Sequence, residues 1–169
     1  MSQEIERKFL VIGENWRRQN RGVLYRQGYL TSERNCSIRV RAGAGKGYLA
    51  IKGETHGAVR DEFEYEIPVE DANELLSKYC KRPLIEKWRY EIEIGELTWE
   101  VDEFESENRG LILAEVELTS EDQNIEFPDW IGEEVTGDAR YYNVNLVKNP
   151  FSKWNRTKEQ QNDTSAKKD

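Results

Sequence analysis

At 169 residues, with 37% hydrophobic and 11% aromatic content, the chain can bury one core of useful size in one domain. Its formal net charge of -8 excludes a partner such as duplex nucleic acid held by a generally basic surface. No apolar run approaches membrane-span length, no signal-peptide pattern opens the chain, and Cys36 and Cys80 are too isolated for a metal knuckle or a disulfide framework. A cytoplasmic protein with reduced cysteines and no membrane partner is expected.

The first stretch, Glu4-Ile5-Glu6-Arg7-Lys8-Phe9-Leu10-Val11, sets the pattern for the rest. Side chains alternate across an extended strand, so Glu4, Glu6 and Lys8 share one face while Ile5, Phe9 and Val11 take the other. Eight strands are expected: Gln3 to Ile12, Leu24 to Thr31, Ser37 to Ala42, Tyr48 to Gly53, Arg60 to Pro68, Lys87 to Ile94, Thr98 to Phe104 and Ile112 to Thr119. Turn signals such as Gly43-Ala44-Gly45-Lys46-Gly47 and Gly95-Glu96 imply antiparallel hairpins. The expected fold class is α+β, mainly β: a closed eight-stranded antiparallel barrel with helices packed outside.

Helices are expected between and after these strands. Asp71 with Glu74 reads as a capping box ahead of Leu75, Leu76 and Tyr79, with Pro83 beyond the end. Ser120 with Gln123, Asp138 ahead of Ala139 to Val147, and Glu14 to Gln19 suggest further helical turns. From Asn155 to Asp169 the chain is polar without apolar periodicity, so residues 155–169 are expected to be a disordered tail and residues 1–154 the domain. The sequons at Asn35, Asn155 and Asn162 carry no meaning without secretion.

One solvated face per strand is ordinary in an antiparallel sheet. Here at least six strands pair an ionic face with an apolar, aromatic one, and the apolar faces need a place to be buried. Helices covering the apolar faces from outside would leave the ionic faces to meet across an enclosed space. The inward set is then Glu4, Glu6, Glu62, Glu64, Asp102, Glu115 and Glu117 against Lys8, Arg39, Arg41, Lys52, Lys87 and Arg89. Buried charges must be paired or coordinate metals. Clustered carboxylates are hard oxygen ligands suited to Mg²⁺ or Mn²⁺, which share them with substrate phosphates, and Arg and Lys grip the phosphates themselves. The chemistry implied is metal-assisted phosphoryl transfer.

Glu4-Ile5-Glu6-Arg7-Lys8 resembles the ExExK signature of the CYTH superfamily, the triphosphate tunnel metalloenzymes. The resemblance continues through Gln27-Gly28-Tyr29-Leu30, Arg39-Val40-Arg41, Lys52, Arg60-Asp61-Glu62-Phe63-Glu64, Glu86-Lys87-Trp88-Arg89-Tyr90, Asp102, Glu115-Val116-Glu117 and Asp138-Ala139-Arg140-Tyr141. It implies an eight-stranded antiparallel tunnel that binds triphosphates with divalent metal and hydrolyses them. By resemblance, Glu4 and Glu6 with Glu115 or Glu117 hold the metal, and Glu62, Glu64 and Asp102 complete the acidic wall. Lys8, Arg39, Arg41, Lys52, Lys87 and Arg89 hold the phosphates, and Lys8, Lys52, Lys87 and Arg89 are the expected catalytic set. Short proteins of this type are mostly inorganic triphosphatases. Class IV adenylyl cyclases, thiamine triphosphatases and RNA triphosphatases share the scaffold, so the fold does not fix the substrate. A homodimer stays open at this point.

Other motifs carry less. Lys46 in the glycine turn lacks the Ser or Thr and the spacing of a Walker loop and reads as a hairpin turn. His56 lies in a Gly-flanked turn, away from any triad. Tyr29 and Tyr141 are expected either to line the interior or to pack, and Glu66 and Glu91 to be solvated at its mouth. A lipocalin-like carrier would not line its cavity with Arg and Glu. A non-catalytic polyphosphate or nucleotide binder would need the basic residues but not the acidic set, because carboxylates beside an anion are costly unless metal lies between them. A nucleotidyl cyclase on the same scaffold is the remaining alternative.

Overall fold

A computed structural model describes residues 3–18 and 20–154. The expected polar tail, with the sequons at Asn155 and Asn162, lies outside the described residues.

Among the described residues nine strands form one antiparallel sheet: β1 (Gln3–Val11), β2 (Val23–Glu33), β3 (Cys36–Gly43), β4 (Lys46–Gly53), β5 (Val59–Ile67), β6 (Ile85–Ile94), β7 (Leu97–Phe104), β8 (Ile112–Glu117) and β9 (Ile131–Glu134). The order is β5-β4-β3-β2-β6-β7-β8-β1-β9, and β1 also pairs with β5. That last contact is short, joining Gln3 to Asp61, Glu4 to Arg60 and Ile5 to Val59. Farther along β1, Phe9 and Val11 leave β5 and pair with β9 across a register shift. The architecture is therefore an uneven ring with a ninth strand sharing one edge, where a closed eight-stranded antiparallel barrel was expected. Four residues containing a glycine are too short to show period 2, so β9 gave no signal in the sequence.

The outward faces bury as the alternation requires. Phe9, Ile92, Trp99, Val101 and Val116 pack with Trp16 and Trp130, with Phe9 and Trp99 rings 5.6 Å apart and Trp16 edge-on to Tyr90 at 5.0 Å. Trp16 comes from a 3₁₀ turn over Asn15–Arg18, where a helix to Gln19 was expected; Gln19 itself lies outside the described residues. α1 (Val69–Lys78) lays Ala72 and Leu76 on Val40 and Ala42. Truncating a fully buried leucine such as Leu76 to alanine costs about 2–5 kcal/mol.

Local start signals fared unevenly. α1 begins from Pro68 with no side-chain cap, so the Asp71 capping box does not form. Asp71 and Glu70 instead sit in the first turn, where the helix dipole favours negative charge. Ser120 to Gln123 is a turn and not a helix start: Gln123 Oε1 accepts hydrogen bonds from Thr119 N at 2.7 Å and Thr119 Oγ1 at 2.9 Å. Asp138 does cap a 3₁₀ turn over Ala139–Tyr141, accepting from Arg140 N, and α2 (Asn143–Lys148) follows after a break at Tyr142.

The inward faces are not ionic throughout. Two residues from Lys87, Glu115, Asp102 and Lys8, the same faces carry Ile85, Leu113, Phe104 and Leu10. These pack with Tyr29, Leu111, Val135, Tyr141, Leu146 and Val147. Unlike α1, α2 and the turn before it therefore complete an apolar plug built on inward residues at one end of the ring, leaving the charged positions beyond it.

Candidate active site

Beyond the plug lies a cavity of about 680 Å³. Twelve of the thirteen residues expected to carry the chemistry line it: Glu4, Glu6, Glu62, Glu64, Glu115, Glu117, Lys8, Arg39, Arg41, Lys52, Lys87 and Arg89. Register explains the convergence. Glu6 pairs with Glu117, Lys8 with Glu115, Lys52 with Glu62 and Glu4 with Arg60, so inward residues of neighbouring strands sit side by side.

Asp102 is not part of the lining. It is buried beneath Lys87 and Arg89, its two oxygens receiving Arg89 Nε and Nη2 at 2.8 Å each and Lys87 Nζ at 2.8 Å from Oδ2. Such a carboxylate orients two cations from behind and has no oxygen turned to the cavity, which removes it from the expected acidic wall. Lys87 also donates to Asn143 Oδ1 at 3.3 Å, and Arg89 Nη1 meets Glu100 at 3.0 Å. Burial pushes the Lys87 ammonium down to about 8, with Arg89 adding to the fall and Asp102 opposing it.

Along β1, β4, β5 and β8 the balance reverses. Lys8 pairs with Glu115 at 3.2 Å and donates to the Tyr141 carbonyl at 3.3 Å. Lys52 lies between Glu4 at 3.4 Å and Glu62 at 3.3 Å. Arg60 Nε donates to Glu4 at 3.1 Å, and its Nη2 stands 3.7 Å from Glu6. Burial works against the Glu4 carboxylate, yet Lys52 and Arg60 outweigh it and bring the pKa down to about 2. Glu6, two residues along on the same face, goes the other way: burial, then Glu115 and Glu4, raise it to about 8. Glu117 is also raised, by burial and by Glu4. Glu115 is held well below the usual carboxylate range because Lys8, Lys87 and Arg89 overcome its burial.

These acids fit a hard divalent cation. Glu6 has carboxylate neighbours and too little positive charge, which is the deficit a cation fills. Among the described residues no three acidic, His or Cys groups converge into a ready-made cage.

Sequence reasoning passed over Arg60 and Glu100, although the signal was there: each stands two positions from a residue that was chosen, Glu62 and Asp102. Asn143 and Tyr142 reach the cavity from the end segment and gave no periodic signal. Tyr29 lines the cavity and Tyr141 belongs to the plug. His56 is exposed in its turn, Lys46 is exposed and 3.6 Å from Glu66, and Ala44 and Gly45 carry the positive φ values that make this hairpin turn.

A ring of antiparallel strands whose inner face sets Arg39, Arg41, Lys87 and Arg89 beside carboxylates, two of them short of positive charge, defines an enclosed ionic site suited to a polyanion. The chain belongs to the CYTH domain family, which matches residues 2–148. It is 54% identical over 151 residues to an inorganic triphosphatase of Acetivibrio thermocellus, covering 89% of this chain and 97% of the relative. An inorganic triphosphatase of Nitrosomonas europaea is 39% identical over 153 residues, covering 85% of this chain and 96% of the relative. The crystal structure of an inorganic triphosphatase aligns with a TM-score of 0.60 at 34% identity, over 87% of this chain and 95% of that one.

Proposed function

We propose that the protein is a divalent-metal-dependent hydrolase that splits inorganic triphosphate into diphosphate and phosphate. The observation that carries the reading is the division of the cavity, cations on β3 and β6 and the undercompensated carboxylates Glu6 on β1 and Glu117 on β8, in a chain so similar to two inorganic triphosphatases. The ring is read as a tunnel, closed along the β1–β5 contact, that encloses the substrate.

Arg39, Arg41, Lys87 and Arg89 bind and orient the phosphoryl groups, with Asp102 fixing the last two so that little reorganisation accompanies the reaction. Lys8 and Lys52 reach between the two walls and neutralise charge on the bridging oxygens. Glu4 and Glu6, with Glu115 or Glu117, are the residues that would hold Mg²⁺ or Mn²⁺, and Glu62 and Glu64 complete the acidic wall. A bound cation would neutralise part of the triphosphate charge and polarise its oxygens. Water oxygen adds to the terminal phosphorus and gives up a proton to solvent, the bond from that phosphorus to its bridging oxygen breaks, and diphosphate departs with that oxygen. A cytoplasmic location follows the same reading, supported by two unpaired cysteines.

Phosphate release from inorganic triphosphate, ATP and thiamine triphosphate, measured side by side with cyclic AMP monitored in the ATP reaction, tests this. Inorganic triphosphate is expected to have much the highest kcat/KM, with activity abolished by excess EDTA. ATP as the better substrate, cyclic AMP as the product, or full activity in EDTA would each overturn it.

A further inference from the structure

The cations of the cavity are not all held in the same way. Lys8, Arg39, Lys52, Arg60, Lys87 and Arg89 each have a carboxylate oxygen between 2.8 and 3.3 Å away. Among the described residues Arg41 has only Glu64, at 3.5 Å, and that carboxylate makes its shorter contact, 2.9 Å, with Arg39. What surrounds the Arg41 guanidinium instead is aromatic: its carbon lies 4.9 Å from the centre of the Tyr48 ring and 5.0 Å from that of Tyr25. Its Nε, like that of Arg39, is buried without a hydrogen-bond partner among the described residues.

The arrangement is built across three strands. Tyr48 on β4 is the register partner of Arg41 on β3, and Tyr25 on β2 is the partner of Gly43, two residues further along the same inward face. Tyr25 can lie there only because position 43 has no side chain: a Cβ would come within 2.3 Å of its ring. The same ring is 5.9 Å from Arg89, so it stands between two guanidiniums of the cavity. An aromatic face attracts a cation without carrying a formal charge. A guanidinium held by carboxylates has its charge offset before any substrate arrives, whereas one held by rings keeps it.

We propose that Tyr25 and Tyr48 are positioning residues that clamp Arg41 between their rings, presenting a fully charged guanidinium edge to one phosphoryl group of the substrate. Arg41 is then the cation with most to gain from an anion, and the clamp sets the plane in which it meets the phosphoryl oxygens. The proposal rests on the triphosphatase reading above.

The test is steady-state hydrolysis of inorganic triphosphate by wild type, Tyr48→Leu, Tyr48→Phe, Arg41→Gln and the double variant Tyr48→Leu/Arg41→Gln, with a melting curve for each. Tyr48→Leu is expected to raise KM by up to about tenfold with a smaller change in kcat, in keeping with the strength of a desolvated cation–π contact. Tyr48→Phe, which keeps the ring, is expected to restore the wild-type KM. In the Arg41→Gln background the leucine substitution should add nothing, because the group it acts through is gone. An unchanged KM in Tyr48→Leu, a phenylalanine variant as poor as the leucine one, or an undiminished effect without Arg41 overturns the clamp while leaving the function intact. A wild-type protein inactive on triphosphate overturns the function and the clamp together. If Tyr48→Leu melts too low to assay, Tyr25→Leu and Tyr25→Phe make the same comparison.

Discussion

The seam between β6 and β7 and the seam between β1 and β8 line one cavity, but their charges are resolved in opposite ways. At the first, Lys87 and Arg89 share the buried Asp102, both oxygens of that carboxylate have a cationic partner at 2.8 Å, and Glu100 adds a further contact to Arg89. At the second, with β4 and β5 beside it, Glu4, Glu6, Glu62, Glu115 and Glu117 share Lys8, Lys52 and Arg60, Arg39 stands 3.8 Å from Glu62, and Glu6 bears the deficit with a pKa raised to about 8. A seam whose charges are already satisfied is stiff and presents fixed donors. A seam left short of positive charge is where the proposed divalent cation would be held. Geometry alone would not separate them, since both are antiparallel pairs with charged residues in register.

The largest effect that sharpens this contrast is expected at the satisfied seam, on stability. Removing Asp102 strands two buried cations, and breaking a buried pair in this way costs about 3–5 kcal/mol. Denaturant unfolding of Asp102→Ala should show a loss of that size; a loss under about 1 kcal/mol would mean that water reaches Lys87 and Arg89, and the seam is not stiff.

Next in size is the rate at the deficient seam. Glu6→Gln keeps the shape and removes a charge, so it should cost roughly a hundredfold or more in kcat/KM on inorganic triphosphate, while the metal-free protein stays at least as stable as wild type. Stability that drops along with the rate would show Glu6 to be a structural ion-pair partner, no different from Asp102.

A smaller effect concerns pH. The folded state raises Glu6 above its ordinary value of 4.5 to about 8, so between these limits the folded protein holds a proton that the unfolded chain releases. Its contribution is fully present below about 4.5 and is lost as pH rises through about 8. Lys87, lowered to about 8, acts in the opposite sense: its contribution is present above the ordinary 10.5 and is lost as pH falls through about 8. Metal-free melting temperatures of wild type should therefore fall from about pH 5 to about pH 8 more steeply than those of Glu6→Gln. Parallel curves would break the assignment of the deficit to Glu6.

Much of this was legible in the residues. Period-2 alternation in Glu4-Ile5-Glu6-Arg7-Lys8 and in Glu62-Phe63-Glu64 fixes which side chains share a face, and eight strands follow from it with ends displaced by one or two residues. What alternation cannot say is how far along a face the charge extends. Ile85 and Leu113 belong to the same inward faces as Lys87 and Glu115, and the plug they form with α2 depends on where the end segment folds back. Asp102 was legible as an inward acid, but its withdrawal from the cavity is decided by Arg89 opposite it in register, a pairing across β6 and β7 that neither strand encodes alone. The clamp on Arg41 needs three strands together, and the Asp71 capping box lost to Pro68, which ends β5's run and sets the start of the helix.

The central claim, that the β1–β8 seam takes a divalent cation and the β6–β7 seam does not, is tested most directly by Mn²⁺ binding to the protein without substrate, followed by the paramagnetic signal of the free ion. The account predicts that Glu6→Gln weakens binding by at least about tenfold, that Arg89→Lys leaves it unchanged, and that wild-type affinity rises with pH toward about 8 as Glu6 gives up its proton. Wild-type affinity in Glu6→Gln would contradict it.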